Sequence, residues 1–138
     1  MNKNQRIFSG KTAWITGASS GIGEALVYEF VNLGAEVIIS SNDLPGLERV
    51  KASCSKSSKI TCVPFDLEDT MKINVVVEQQ MKKTGKIDYL VNIGGISQRA
   101  RIVDTPLWLD RKIFEINYFG TIALTKAILP YMIKQKSG

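Results

Sequence analysis

Thr16-Gly17-Ala18-Ser19-Ser20-Gly21-Ile22-Gly23 gathers three glycines and two serine hydroxyls into eight residues of a 138-residue chain. Glycine allows a tight turn and lets a ligand approach the backbone closely. A helix beginning inside such a turn presents free N–H groups and a partial positive charge, which suits a pyrophosphate. Ser19 and Ser20 add hydroxyl donors at the same place. The sequence around the motif supplies the required context, a strand before it and a helix after it. Thr12-Ala13-Trp14-Ile15 is an apolar run, and Ile22, Leu26, Phe30 and Leu33 recur at helical spacing. Nucleotide binding is the leading reading of these residues, ahead of a purely structural turn.

The elements that must position this loop alternate regularly. A first strand is expected over Thr12–Thr16, with a helix from Gly21 to a stop at Gly34. A second strand, Val37 to Ser40, leads into a short helix with Leu44, Leu47, Val50 and Cys54 on one face and Pro45 in its first turn. A third strand is expected over Ile60–Phe65. The helix after it opens near Asp69 or Thr70, turns Ile73, Val76, Val77 and Met81 inward and ends at Gly85. Tyr89 to Asn92 is the fourth strand. A long helix then runs from about Pro106 to Lys134, with Pro130 bending its final turns. Such alternation specifies a parallel sheet with helices on both faces and right-handed crossovers. The fold expected is a doubly wound α/β unit, with Trp14, Tyr28, Phe65 and Trp108 assigned to packing.

Composition narrows the chemistry. There is no histidine, which removes Ser-His-Asp catalysis, imidazole bases and most zinc sites; no metal site is expected. The net charge of +5 raises the possibility of a nucleic-acid partner. The lysines are scattered over helix ends and polar loops without interleaved aromatics, so solvated helix faces explain them and no nucleic-acid binding is expected. A mildly basic surface also attracts an anionic cofactor. No stretch is apolar for long enough to span a membrane, and Met1 to Arg6 is polar rather than signal-like. Cys54 and Cys62 are expected as reduced thiols, which favours an intracellular, cytoplasmic setting.

Four segments in order resemble the short-chain dehydrogenase/reductase family. Thr16 to Gly23 matches its cofactor motif, implicating Gly17, Ser19, Ser20, Gly21, Ile22 and Gly23. Asp66-Leu67 follows the third strand, where the family holds adenine with an Asp. Asn92-Ile93-Gly94-Gly95 ends the fourth strand, where the family reads Asn-Asn-Ala-Gly, implicating Asn92, Gly94 and Gly95. Asn117-Tyr118-Phe119-Gly120 falls where the family places a catalytic Asn. Gly94 to Arg99, together with Leu124-Thr125-Lys126 and Leu129-Pro130, is similar to the member-seven branch. The resemblance implies a Rossmann-type fold truncated after the fourth helix, in which residues 1–138 form a single incomplete NAD(P)-binding domain.

Each segment also has a structural reading. Asp66 is equally suited to capping a turn. Gly94 and Gly95 could merely end a strand, although the carboxyl ends of parallel strands are where open α/β sheets bind ligands. Asn117 shares a helix with the apolar residues Ile113, Ile116, Gly120 and Leu124, so its amide is expected to need buried partners. Ile93 departs from the family and puts hydrogen bonding between the central strands in doubt.

The family's chemistry needs a Tyr with a Lys four residues later, the Lys lowering the phenol pKa for proton exchange during hydride transfer. Tyr28, Tyr89, Tyr118 and Tyr131 are followed at that spacing by Asn32, Ile93, Ile122 and Gln135. The family's Ser, on the strand after the long helix, is not in the sequence either. The resemblance therefore implies an alcohol or carbonyl oxidoreductase in a longer form, with this chain alone inactive. The alternative is a non-catalytic nucleotide-binding or dimerising module. For the cofactor, Ser41 stands where NAD enzymes carry an acid and Asn42 where many NADP enzymes carry Arg. The branch favours NADP, Asp43 favours NAD, and NADP is the expectation with NAD as the alternative. The branch also implies association with the endoplasmic reticulum, and the family implies a homodimer through the last helix. A fourth strand left at the sheet edge would invite intermolecular pairing.

Overall fold

The computed structural model describes residues 7–138. Trp14 and Ile15 set its layering, because successive residues of a strand face opposite sides of a sheet. They lie in β1 (Thr12–Thr16), all five residues of which are buried. Ile15 faces a core shared with Val27, Val31, Ile39, Leu47 and Val50, whereas Trp14 faces Ile38, Ile73, Val77, Leu124 and Ile128. Helices therefore cover both faces. α1 (Gly21–Asn32) and α2 (Leu44–Ser53) supply the first core, and α3 (Thr70–Thr84) and α5 (Thr121–Gln135) the second.

The strands β2 (Glu36–Ser40), β3 (Ile60–Cys62) and β4 (Tyr89–Val91) complete a parallel sheet in the order β3-β2-β1-β4. Ala13 stands opposite Val37 on one side and Tyr89 on the other. Chain order reverses between β1 and β4, so their carboxyl ends form a topological switch point, where open α/β sheets hold ligands. At the opposite end of the sheet, Asp88 accepts hydrogen bonds from the Thr12 N–H (2.8 Å) and the Lys11 ammonium (3.1 Å). Burial raises the pKa of its carboxyl, but these donors and Lys86 outweigh burial and hold it low.

Local signals account for the helix ends. The Asp43 carboxylate accepts from the Gly46 N–H at 3.0 Å and caps α2, with Pro45 in the first turn. α3 closes at Gly85 with φ +74°, and Lys82 and Lys83 lie in its last turn. Cys54 and Cys62 are unpaired. Among the described residues, no helix is long and apolar enough to cross a membrane.

Several expectations need correction. The third strand is shorter than Ile60–Phe65: its pairing with β2 ends at Ile39 opposite Cys62, and Pro64 follows with its nitrogen toward the outer edge, where it breaks no bond to β2. The chain nevertheless keeps its course along β2 through Val63 N–H to Ile39 O (2.9 Å) and Phe65 N–H to Ser41 O (3.2 Å). The buried stripe of α1 is Gly23, Val27 and Val31, and Ile22 is exposed. Trp108 is exposed rather than packed. The last helix is not one uniform α-helix: α4 (Leu107–Phe114) passes into a π-helical stretch, Glu115–Gly120, before α5 begins. Pro130 lies within α5, five residues before its end. β4 is an edge strand, as expected for the fourth strand.

Candidate functional site

A cleft of about 400 Å³ opens at the switch point, above the carboxyl ends of the strands. Gly17, Ser19, Ser20, Gly21, Ile22 and Gly23 form one wall, and Ser41, Asn42, Asp66 and Leu67 the side beyond β2 and β3. Gly94 and Gly95, following β4, form the opposite wall. Residues singled out from four separate stretches of sequence are thus brought together around one space.

The glycine loop is built for close approach. Gly17 has φ +62°, and a Cβ there would lie 2.7 Å from the Gly94 nitrogen, so the turns after β1 and β4 touch backbone to backbone. Gly21 has φ +56° and nothing within 4 Å of where its Cβ would be, which leaves its side open to a ligand. Ser20 occupies the N-cap of α1 without using its side chain as a cap. Among the described residues, no protein acceptor pairs with the N–H groups of Ser20, Gly21 and Ile22. Unpaired donors at a helix N-terminus beside an open cleft fit an anionic pyrophosphate.

Thr16 is the residue that sequence reasoning undervalued. Its Oγ1 accepts from the N–H groups of both Ile93 (3.1 Å) and Gly94 (3.0 Å). Ile93 therefore does not leave the ends of β1 and β4 untied; one hydroxyl on β1 holds two consecutive amides beyond β4. Phe65, Ile93, Ile96 and Ile116 add apolar surface to the wall. Ile96 and Ile116 were not distinguishable in sequence from core residues.

The rim near β2 is polar and internally bonded. Ser19 Oγ donates to Ser41 Oγ at 3.0 Å, and the Asp43 N–H donates to the same oxygen at 3.1 Å. Both lone pairs of the Ser41 hydroxyl are engaged, so what it offers outward is its proton. Asn42 Nδ2 donates to an Asp66 carboxylate oxygen at 3.3 Å, while the other Asp66 oxygen accepts from the Glu68 N–H at 2.9 Å. Asp66 thus makes a local turn bond, as its structural reading expected, and also lines the cleft. Outside the wall, Arg49 pairs with Glu24 through two bonds of 2.9 and 2.7 Å. These bonds, joined by one from the Tyr28 hydroxyl, hold the Glu24 carboxyl at about 2.

Two site residues lie differently from expectation. Asn92 is outside the cleft wall; its Nδ2 donates to Thr125 Oγ1 at 3.3 Å, and it borders a separate groove between β4 and α5. Asn117 is exposed rather than buried. It lies in the π-helical stretch, a local widening that recurs at functional sites. Its amide is satisfied by one residue, with Oδ1 accepting from the Ile96 N–H and Nδ2 donating to the Ile96 carbonyl, both at 2.8 Å. Asn117 thereby fixes the segment that follows Gly94 and Gly95. Gly120 lets the same stretch lie against the Leu67 carbonyl, where a Cβ would collide. Among the described residues, no group of three or more His, Cys, Asp or Glu could hold a metal ion.

Comparison with known proteins gives this arrangement a context. The short chain dehydrogenase family matches residues 11–138. Human dehydrogenase/reductase SDR family member 7 is 45% identical over 130 residues, covering 91% of this chain and 38% of the relative. The Drosophila melanogaster family protein 7-like is 40% identical over 134 residues, covering 94% of this chain and 41% of the relative. The chain thus spans about two fifths of the length of these relatives. A short-chain dehydrogenase structure from Streptomyces avermitilis superposes with a TM-score of 0.86 at 32% identity, over 93% of this chain and 46% of that one. A short chain dehydrogenase structure from Escherichia coli CFT073 reaches 0.87 at 19% identity, over 96% and 60%, and shows the shared fold. With the match running through the glycine loop and both walls of the cleft, the chain belongs to the short-chain dehydrogenase family.

Proposed function

We propose that this chain is the dinucleotide-holding part of a short-chain alcohol or carbonyl oxidoreductase, and that its cleft takes NADP in preference to NAD. The observation that carries the reading is the cleft itself. The unpaired N–H groups of Ser20, Gly21 and Ile22 face a space whose other wall is Gly94 and Gly95. In this reading the N–H groups and the Ser20 hydroxyl hold the pyrophosphate, while the Ser19 hydroxyl, whose proton goes to Ser41, ties the loop to the rim. Asp66 and Leu67 border the adenine, and Gly94 and Gly95 let the dinucleotide lie close to the backbone. Asn117 acts one residue away, by holding Ile96. When bound, the nicotinamide ring would give a hydride to a carbonyl or take one from an alcohol.

The preference for NADP rests on the rim beside β2. At the end of that strand the chain itself offers Ser41 and Asn42 rather than an acid; Asp43 caps α2 through the Gly46 N–H, and the Asp66 carboxylate on the same wall is bonded by Asn42 Nδ2 and the Glu68 N–H. Ser41 offers a proton and Asn42 an amide, and donors favour a 2′-phosphate where a carboxylate would favour a ribose hydroxyl. Ser41→Asp tests this. It is expected to weaken NADPH binding at least 10-fold and to leave or improve NADH binding; equal loss of both would refute the preference.

In this reading the 138-residue chain binds without turnover, since none of its four tyrosines has a lysine four residues on. Turnover of any carbonyl substrate with NADPH or NADH by the purified chain would refute it. A second reading, a module that dimerises, is favoured by the exposed Phe114, Tyr118, Ile122, Leu129 and Ile133 along the last helical segments. Ile122→Glu is then expected to shift sedimentation from dimer to monomer, and a wild-type chain that is monomeric at high concentration would count against dimerisation.

A further inference from the structure

We infer that Arg49, which lies outside the cleft, is a positioning residue that fixes the glycine loop through its grip on the Ser19 carbonyl. Arg49 Nη2 donates to Ser19 O at 2.9 Å, thirty residues away in sequence. The same guanidinium is anchored by Glu24, in the first turn of α1, through bonds of 2.9 and 2.7 Å, and Tyr28 braces the carboxylate from one turn further on at 2.8 Å. One planar fork therefore joins α2, α1 and the loop between β1 and α1. A lysine could not reproduce these bonds, because its ammonium is a single point of charge without the fork.

The consequence for the loop follows from peptide geometry. In a planar trans peptide the C=O of one residue and the N–H of the next point in opposite directions. Holding the Ser19 carbonyl toward Arg49 directs the Ser20 N–H to the other side, away from α2. That N–H is one of the unpaired donors of the loop. Two further contacts leave the peptide little freedom. Ser19 Oγ bonds Ser41 Oγ, and α2 lies so close that a Cβ at Gly46 would fall 2.9 Å from Ser19 Cβ. Without Arg49 the carbonyl loses its partner, and the loop must order itself when a ligand arrives.

This inference rests on the dinucleotide reading for its effect on affinity, but not for its effect on the loop. Arg49→Met is expected to weaken NADPH binding by about 10-fold, the scale of a lost charge-assisted hydrogen bond. Arg49→Lys is expected to stay within threefold of Arg49→Met. Glu24→Gln, which keeps the guanidinium but loosens its anchor, is expected to fall between Arg49→Met and wild type. In the free 138-residue chain, the backbone order of Ser19 and Ser20, read from amide relaxation, is expected to fall in Arg49→Met, with Ile15 and Ile39 in the sheet unchanged. Full rescue by Arg49→Lys would mean that Arg49 acts only by attracting an anion and would overturn the inference. Unchanged backbone order at Ser19 and Ser20 would overturn it as well. A wild-type chain that binds no dinucleotide would remove the functional reading, and the relaxation comparison would still decide the role of Arg49.

Discussion

Gly23→Ala sets two physical effects against each other, and the structure decides between them. Gly23 is buried in the first turn of α1. On helix propensity alone, alanine there would stabilise the chain by about 1 kcal/mol. The space forbids it. A Cβ at Gly23 would overlap the Gly17 carbonyl oxygen, lie 2.7 Å from the Gly17 carbonyl carbon and 3.0 Å from the Ala18 Cα. All three are backbone atoms of the glycine loop, so no rotamer change relieves the contact. Relief needs either α1 or the loop to move, and overpacking of this kind costs ~1–3 kcal/mol. The upper end applies because nothing flexible can yield, so after the propensity gain the net loss is about 2 kcal/mol. For a domain of this size that lowers Tm by about 6–8 °C. Gly21→Ala is the matched control two residues earlier. Its Cβ would meet nothing within 4 Å, which leaves only the cost of φ +56°, ~1–2 kcal/mol. The assay is thermal unfolding followed by circular dichroism, with NADPH affinity measured on the same samples. Gly23→Ala is expected to lose both stability and affinity. A Tm equal to or above wild type would refute the claim that close packing of α1 on Gly17 shapes the loop.

Thr16→Val keeps the shape of the side chain but removes the oxygen that accepts from Ile93 and Gly94. It is expected to lower stability by about 2 kcal/mol in urea unfolding, whereas Thr16→Ser stays near wild type; equal losses would show that packing, not the hydroxyl, matters. Trp14→Phe removes the buried bond from Nε1 to Ser40 Oγ (2.8 Å) and is expected to cost about 1–2 kcal/mol in the same assay. The Glu24 carboxyl titrates at about 2 in the folded chain, against 4.5 for the ordinary group, because Arg49 and Tyr28 bond its charged form. A lowered folded pKa contributes stability that is complete above pH 4.5 and lost as pH falls toward 2. Glu24→Gln is therefore expected to flatten the stability profile in that window and leave its shape above pH 5 unchanged, a contrast that acid titration of unfolding would show.

The parts of this chain legible in its sequence are those dictated by local chemistry. Gly17, Gly21 and Gly23 marked the loop because few other residues tolerate its conformation and contacts. Pro45 and Gly85 marked helix ends because both residue types are favoured there for backbone reasons, whereas the Asp43 cap was seen only in the structure. The four strands were legible in existence, with β2 starting one residue earlier, β3 ending three residues earlier and β4 one residue earlier than expected. What was less legible depends on contacts between distant segments. Thr16 reads as an ordinary strand residue until β4 is placed beside β1. Asn117 reads as a buried amide on a regular helix, and the π-helical stretch that turns it toward Ile96 leaves no mark in spacing. Arg49 reads as a solvated charge, since its partners Ser19 and Glu24 lie thirty and twenty-five residues away. Trp108 was assigned to packing from its type alone, and lies exposed on α4.

The central claim is that the cleft between Gly17–Gly23 and Gly94–Gly95 holds a nicotinamide dinucleotide through the first amides of α1. The most direct measurement is a titration of the isotopically labelled 138-residue chain with NADPH and then NADH, followed by backbone amide resonances. Saturable one-to-one shifts are expected at Ser20, Gly21, Ile22, Gly94 and Gly95, with NADPH binding more tightly than NADH and with the Asp88 end of the sheet unmoved. A folded chain whose loop amides do not respond to either dinucleotide, or whose shifts gather elsewhere on the surface, would contradict the account.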